Sequence, residues 1–352
     1  MRTRFSVCLL TLLACRMIAA TPDPRAARLA REVAAKGWVV VASHSEKGDW
    51  DLYLMRPDGS HRRNITNTPD YNEMGGRFSP DGHRILYRRI AKDVKIRHDH
   101  WGATGELVIA NADGSNPVVY GAPGDFPWAS WSPDGKQVAC LTNTGIEVRD
   151  LATKQVVRNI DRHGIYQQLF WSPDGHWFCG PANHYGENWT VVRLNADNGS
   201  VNVVAKFQNC TADWFPNSQR LIYSSRPAHQ EEPDGGKMAE AVKQKAGYGW
   251  TQLWMADGDG NNRSLVYGED GRHIYGGDIS PDSKYVLFTK SLTDGGIDTG
   301  RVFVMRLSDA PTIGGESLAL RKLHPGAKDG PILEISTGWE PHWTYAQIGG
   351  GK

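Results

Sequence analysis

The chain is poor in cysteine. Five of its 352 residues are Cys, and two of them, Cys8 and Cys15, lie in the first apolar stretch. The other three, Cys140, Cys179 and Cys210, are an odd number and too few for a disulfide framework, so one bridge is the most they allow. No CxxC pair occurs, which excludes zinc-ribbon and thioredoxin-type sites. Neither sign of charge is in excess: 40 Lys+Arg face 39 Asp+Glu, a formal net charge of +1. Nucleic-acid binders normally carry a basic surplus, so a nucleic-acid partner is excluded. A GxSxG elbow, a Walker-A run, a GxGxxG ahead of a helix and an HExxH pair are all missing. Their absence removes the serine-hydrolase, P-loop, dinucleotide-binding and zincin readings.

Long apolar runs are also lacking. Arg2 and Arg4 precede one from Phe5 to Cys15, short of the roughly 20 residues that a membrane-spanning helix needs, and no later run approaches that length. Residues 1–20 therefore read as an export signal, with no transmembrane segment expected. Two processing sites compete. Leu12-Leu13-Ala14-Cys15 resembles a lipobox, which would leave the chain lipid-anchored through Cys15, whereas Ile18-Ala19-Ala20 is a small-residue site for simple cleavage before Thr21. Both predict a periplasmic or secreted protein.

What is abundant is glycine, proline and tryptophan, at 39, 19 and 13 residues, without a collagen period. They belong to a recurring phrase: RFSPDGHRILYRR at 77–89, SWSPDGKQVACLT at 130–142, FWSPDGHWFCGPA at 170–182, DWFPNSQRLIYSS at 213–225, DISPDSKYVLFTK at 278–290 and a truncated EPHWTY at 340–345. The anchors Phe78, Trp131, Trp171, Trp214, Ile279 and Trp343 are spaced by 40 to 65 residues, the period of a four-strand propeller blade with variable insertions. Each phrase predicts a hairpin, because Pro presets φ at the turn and Gly or Asn tolerates a positive φ. A second hairpin follows most copies, as in ELVIANADGS at 106–115 and TVVRLNADNGS at 190–200. The segment at 38–66 supplies second, third and fourth strands without a first, and the copy around Trp343 supplies a first strand alone. Joined, they make one composite blade and close a ring of six.

The WSPDG phrase and LYLMRPDGSHRRNIT at 52–66 resemble the repeats of TolB-like six-bladed β-propellers, the WD40-like PD40 repeat family, over about residues 38–345. The resemblance implies an all-β propeller that serves as a binding or interaction module in the cell envelope. The expected division is a signal peptide at 1–20, an N-terminal helix and linker at 21–37, the propeller at 38–346 and a flexible tail at 347–352. Asp23 can cap the helix, Pro24 suits its first position, Ala27, Leu29, Ala30 and Val33 form its apolar stripe, and Gly37 can end it.

Two constellations are candidates for a site. Insertions at 89–105, 226–250 and 290–300, with a long connection at 310–333 read as leading into the final first strand, predict a loop-rich face. On it, Arg88, Arg89, Arg97, Trp101, Tyr248 and Trp250 could bind an acidic carbohydrate, with Trp101 stacked on a ring, or could simply form a solvated cationic surface. His98, His100, His184 and Tyr185 are candidate acid-base groups, and His98 with His100 could share a metal. The second constellation comes from aligning the repeats. Just before each anchor stand Arg77, Ser130, Phe170, Asp213, Asp278 and His342, so Asp213, Asp278 and His342 could hold a divalent metal or join Arg77 in a layer linking the blades. Otherwise no cofactor is expected. The leading function is a module binding an envelope protein or other ligand through the loop-rich face. The alternative is a carbohydrate-active enzyme, a polysaccharide lyase on uronic-acid sugars. Catalysis and oligomeric state are left open by the sequence.

Overall fold

The structure, a computed structural model, describes residues 23–94, 105–121, 128–142, 144–161, 164–166, 168–183, 185, 189–206, 209–226, 251–269, 271–292, 299–310 and 331–349. They form six four-stranded antiparallel sheets. Blade I holds β1 (Trp38–His44), β2 (Trp50–Met55) and β3 (Arg63–Asn64); blade II holds β4 (Tyr71–Phe78), β5 (Arg84–Ala91), β6 (Glu106–Asn111) and β7 (Val118–Val119). Blade III comprises β8 (Trp128–Trp131), β9 (Gln137–Leu141), β10 (Gly145–Asp150) and β11 (Val156–Asp161). Blade IV comprises β12 (Phe170–Trp171), β13 (Trp177–Ala182), β14 (Thr190–Asn195) and β15 (Val201–Ala205). Blade V comprises β16 (Asn209–Trp214), β17 (Arg220–Ser225), β18 (Gln252–Asp257) and β19 (Ser264–Tyr267). Blade VI comprises β20 (His273–Ile279), β21 (Tyr285–Ser291), β22 (Arg301–Arg306) and β23 (Leu333–Thr337). The last strand, β24 (Trp339–Thr344), pairs with β1, and blade I runs β24-β1-β2-β3 from the axis outward. The composite blade expected from the sequence is therefore present.

The repeated Ser-Pro-Asp-Gly phrase has a local cause. In each of Ser79, Ser132, Ser172 and Ser280 the hydroxyl donates to the Asp two residues on, at 2.5–2.8 Å. It also accepts a backbone N–H five residues on, from Arg84, Gln137, Trp177 and Tyr285. One hydroxyl thus ties the turn and the first residue of the returning strand together. Gly82 has φ +70°, and a Cβ there would lie 2.2 Å from Ala346 Cβ, so both conformation and space demand glycine.

Between blades the sheets pack face to face through apolar side chains. One buried cluster joins Trp128 and Leu141 of blade III to Phe178 and Val192 of blade IV and Trp214 and Tyr223 of blade V. The anchor tryptophans are part of this packing, and two of them also cross a blade boundary by hydrogen bonding: the Trp131 indole donates to Arg77 O and that of Trp214 to Phe170 O, both at 3.1 Å.

The ring closes within blade I, where β24 pairs with β1, and helix α1 (Pro24–Val33) packs across the junction of that blade with blade VI. Asp23 caps the helix by accepting the Arg25 N–H, and Leu29 and Val33 are buried among Val39, Met55, Tyr285 and Ile335. Ala27 of the expected stripe is exposed, and the helix ends before Gly37. Arg306 pairs with Glu32 at 2.6 Å, Tyr285 donates to the same carboxylate, and Lys36 reaches Asp282 at 3.3 Å. After β24 the chain continues to pack, with Ile348 buried in the core of blades I and II.

One expectation needs correction. The connection at 310–333 does not lead into the final first strand: it ends at β23, the fourth strand of blade VI, and only Gly338 separates β23 from β24. The sequence pattern missed β23 because LEIST is only five residues long and follows a long insertion instead of a recognisable repeat phrase. The chain between β22 and β23 therefore joins a third to a fourth strand of one blade.

Seam packing sets two expectations. Leu29→Ala should lower the unfolding free energy by about 2–5 kcal/mol, measured by urea denaturation, because it empties a closed apolar site. The Glu32 carboxyl is held down to about 2, first by its hydrogen bond from Arg306 and then by that from Tyr285. Its stabilisation is thus present above the ordinary value of 4.5 and is lost as pH falls toward about 2. Glu32→Gln should flatten the acid limb of a stability-pH curve over that window, modestly, since water screens a pair this exposed.

Candidate functional site

All six innermost strands contribute to one cavity of about 320 Å³ where the channel opens on the turn face. Its outer collar is Pro80, Pro133, Pro173, Pro216 and Pro281, from the repeated turns, and its floor is Arg77, Ser130, Phe170, Asp213, Asp278 and His342. The six residues picked out by aligning the repeats thus all line this cavity.

The floor is shaped by irregular strand pairing. β4 slips register between Met74 and Arg77, β16 between Cys210 and Asp213, and β20 between Tyr275 and Asp278; β1 slips opposite β24 between Val40 and Ala42. Each slip carries one residue at positive φ: Gly75 at 67°, Thr211 at 49°, Gly276 at 61° and Glu340 at 53°. Two residues after each of these comes Arg77, Asp213, Asp278 or His342, the ionisable members of the floor. An extra residue bends the strand and re-aims the side chains after it, a common device beside functional sites. Glycine takes such a backbone freely. Thr211 and Glu340 do not, at a cost of about 1–3 kcal/mol each. The Thr211 hydroxyl is held by Ser224 and accepts the Gly276 N–H at 3.0 Å, and the Glu340 carboxylate meets Arg88.

Hydrogen bonds then run around the axis. Ser130 Oγ accepts the Trp171 N–H at 2.9 Å, Asp278 Oδ2 accepts that of Trp343 at 2.6 Å, and His342 Nδ1 accepts that of Phe78 at 3.1 Å. Each crosses to the next blade. Asp213 differs, since its Oδ1 accepts the N–H of its own neighbour Trp214 at 2.7 Å. Because His342 accepts through Nδ1, its proton belongs on Nε2.

Burial dominates the electrostatics. The Asp213 carboxyl is pushed up to about 7 by loss of hydration, which the Arg77 charge and the Trp214 N–H only partly offset. It touches water through the channel, but too little to hydrate a carboxylate fully. Asp278 is raised well above the ordinary range by burial and then by the Asp213 charge. His342 is lowered well below its ordinary value by burial and by Arg77, so it is neutral at physiological pH.

Arg77 forms the base of the mouth. Its Nη1 donates to the carbonyls of Gly76, Glu340 and Pro341 at 3.1–3.3 Å, and its guanidinium lies 5.1 Å from the Phe170 ring centroid. Beneath it a chamber of about 30 Å³ is lined by Gln168, Thr211, Tyr275, Thr289 and Glu340. That space suits nothing larger than water, so a larger ligand in the mouth would go no deeper than Arg77.

The other site residues expected from the sequence are placed differently. Arg88 lies on β5 almost fully buried, 3.4 Å from both Glu340 oxygens and 4.6 Å from the Trp128 ring centroid. Arg89 is bonded to Glu106 and lies over the Tyr71 ring. Both cations are thus engaged within blades I to III, away from an incoming acid. Tyr185 is half-buried against the core of blades III to V and does not line the mouth. Arg97, His98, His100, Trp101, His184, Tyr248 and Trp250 lie outside the described residues. Among the described residues no group of three His, Cys, Asp or Glu side chains could hold a metal ion, the set Asp213, Asp278 and His342 included. Cys140, Cys179 and Cys210 are all unbridged. Sequence reasoning missed the buried Arg88 and Glu340 pair, for which no local signal exists, and the strand irregularities, for which Gly75-Gly76 and Gly276-Gly277 were a signal.

No family model matches the chain, and no curated protein matches it in sequence. Solved structures do. TolB from Acinetobacter baumannii is similar with a TM-score of 0.60 and 16% identity, over 88% of this chain and 67% of that one. A chain of a nidogen/laminin complex is similar with a TM-score of 0.56 and 10% identity, over 87% of this chain and 98% of that one. The fold is a TolB-like six-bladed β-propeller, in agreement with the repeat phrases. No helix among the described residues is long and apolar enough to cross a membrane.

A stability measurement tests the buried acids. A carboxyl raised in the folded state keeps its proton above the unfolded value of 3.8, so the folded chain loses stability as pH rises from there through about 7. Asp213→Asn should make that loss shallower and raise the urea midpoint at alkaline pH, by an amount equivalent to about 1–4 kcal/mol. A lower midpoint than wild type at alkaline pH would contradict the assignment.

Proposed function

We propose that the chain is an exported binding module that receives a partner protein of the cell envelope at the turn-face mouth of its propeller channel. The observation that carries this reading is the convergence of all six blades on one mouth of about 320 Å³, with ionisable side chains at its floor and, among the described residues, no metal-ligating group. A mouth of that size lies at the low end of the roughly 300–1,000 Å³ typical of binding pockets. The strained backbone at Thr211 and Glu340 supports it, since strain persists where surrounding structure is organised for function. A similar propeller occurs in a nidogen/laminin complex, so the architecture accommodates protein partners. Export rests on the basic and apolar character of residues 1–20, with a periplasmic destination whether cleavage leaves Thr21 or a lipidated Cys15.

The face is what this reading changes relative to the sequence, which favoured the loop-rich side. A photo-crosslinking side chain placed at Pro216 on the mouth, at Tyr185 on the loop-rich face or at Val157 on an outer strand separates the possibilities. Crosslinking in intact cells should yield one discrete adduct from position 216 and none from 157. An adduct from 185 without one from 216 would transfer the partner to the loop-rich face and sink the proposal.

A further inference from the structure

Resting on the reading of the mouth as the binding site, we propose that this cavity takes a primary ammonium group carried on an aliphatic stem, seated between Asp213 and Asp278.

A site for a carboxylate or phosphate needs free N–H or O–H groups, and here most are engaged. The five collar residues Pro80, Pro133, Pro173, Pro216 and Pro281 have no backbone N–H to offer. The indole N–H groups of Trp131, Trp171, Trp214 and Trp343 all donate to backbone carbonyls. The backbone N–H groups of Phe78, Trp171, Trp214 and Trp343 donate to His342, Ser130, Asp213 and Asp278. The hydroxyls of Ser79 and Ser172 donate to Asp81 and Asp174. Arg77 directs Nη1 at three carbonyls, and its Nε is enclosed by protein. Among the described residues lining the mouth the donors that remain are, apart from Nη2 of Arg77, whose charge the two carboxyls already face, uncharged: the backbone N–H groups of Trp131 and Ile279, the Nε2–H of His342, the hydroxyl hydrogens of Ser130 and Thr344, and any proton the carboxyls carry.

Acceptors are in the opposite state. Asp278 is 7% exposed and uses Oδ2 for Trp343, while Oδ1 lines the cavity without a protein donor. Asp213 uses Oδ1 for Trp214 and leaves Oδ2 in the same position. With His342 neutral, the charged groups of the mouth are one cation, Arg77, and two carboxyls that can ionise. A second positive charge placed between the carboxyls would complete the balance. The collar of prolines and the Trp171 ring gives an apolar sleeve suited to methylenes and to a cation against a ring face. Such a ligand could be a small alkylamine or the lysine side chain of a polypeptide, and the chemistry recognised is the same.

Binding is linked to protons. Asp213 and Asp278 face each other, Arg77 and His342 across the floor, and Cys179 stands behind Asp213. Burial keeps protons on the pair, whereas a bound ammonium favours the ionised form, so binding near neutrality should release protons and tighten as pH rises.

Isothermal titration calorimetry of the full chain with pentylamine, with a lysine blocked at both backbone ends and with pentanol tests this. Saturable binding of either amine but not of pentanol is the expected result, tighter at about pH 8 than at about pH 6 and with proton release in buffers of different ionisation enthalpy. Binding of the blocked lysine alone assigns the ammonium to a polypeptide partner, and binding of both leaves a small amine as sufficient. Asp213→Asn should weaken binding about tenfold while the fold gains stability at alkaline pH, and Asp278→Asn should do the same to binding with its Trp343 hydrogen bond kept. The two effects of Asp213→Asn have opposite signs, which a merely structural residue would not give. Absence of saturable amine binding, equal binding of pentanol or unchanged affinity in both variants overturns the proposal. If amines bind but position 216 gives no crosslink, the protein-partner reading fails and this one stands; the converse result removes only the ammonium.

Discussion

Every other feature depends on closure. A sheet that ends in free edges must shield them, and a ring of six sheets removes the problem only if its last seam is made as strongly as the others. Here the seam is made by hydrogen-bonding β24 to β1, so the two ends of the described chain share one sheet. Helix α1 then covers the junction of that sheet with blade VI. Closure also creates the channel. Six innermost strands cannot meet at a point, and the space left on the axis is where side chains from distant repeats come together.

That axis carries a conflict between stability and chemistry. Apolar side chains on the floor would pack without desolvation cost, as Phe170 does, but Arg77, Asp213, Asp278 and His342 stand there instead. Part of their polarity links blades, because Asp278, His342 and Ser130 each accept a backbone N–H from the next blade. A serine suffices for that task, as Ser130 demonstrates. Two carboxyls raised by burial are more than the linkage requires, and that surplus supports the proposed site. The positive-φ backbone at Thr211 and Glu340 belongs to the same pattern, in which local cost is tolerated where a side chain must be aimed.

Much of this was legible in the sequence. The Ser-Pro-Asp-Gly phrase announces a hairpin because its chemistry is local, and its repetition gives blade number and composite closure. Alignment of the phrases also picked out the six floor residues. Arg88 and Arg89 show where such reading stops: in sequence they join a cationic run, but strand β5 carries them inward to Glu340 and Glu106. Glu340 is 252 residues from Arg88, and no local pattern reports a pair at that distance. The short strand β23 was hidden for another reason, since five residues beside a long insertion carry little periodic signal.

The sequence by itself determined the repeating unit, the number of blades and the depth at which Asp213, Asp278 and His342 stand, because each follows from turn chemistry and strand alternation within a few residues. Only the tertiary structure decided which face holds the cavity, which charges are already paired and that burial raises the two carboxyls. Those properties depend on burial, and burial is set by which distant segments the closed ring brings together.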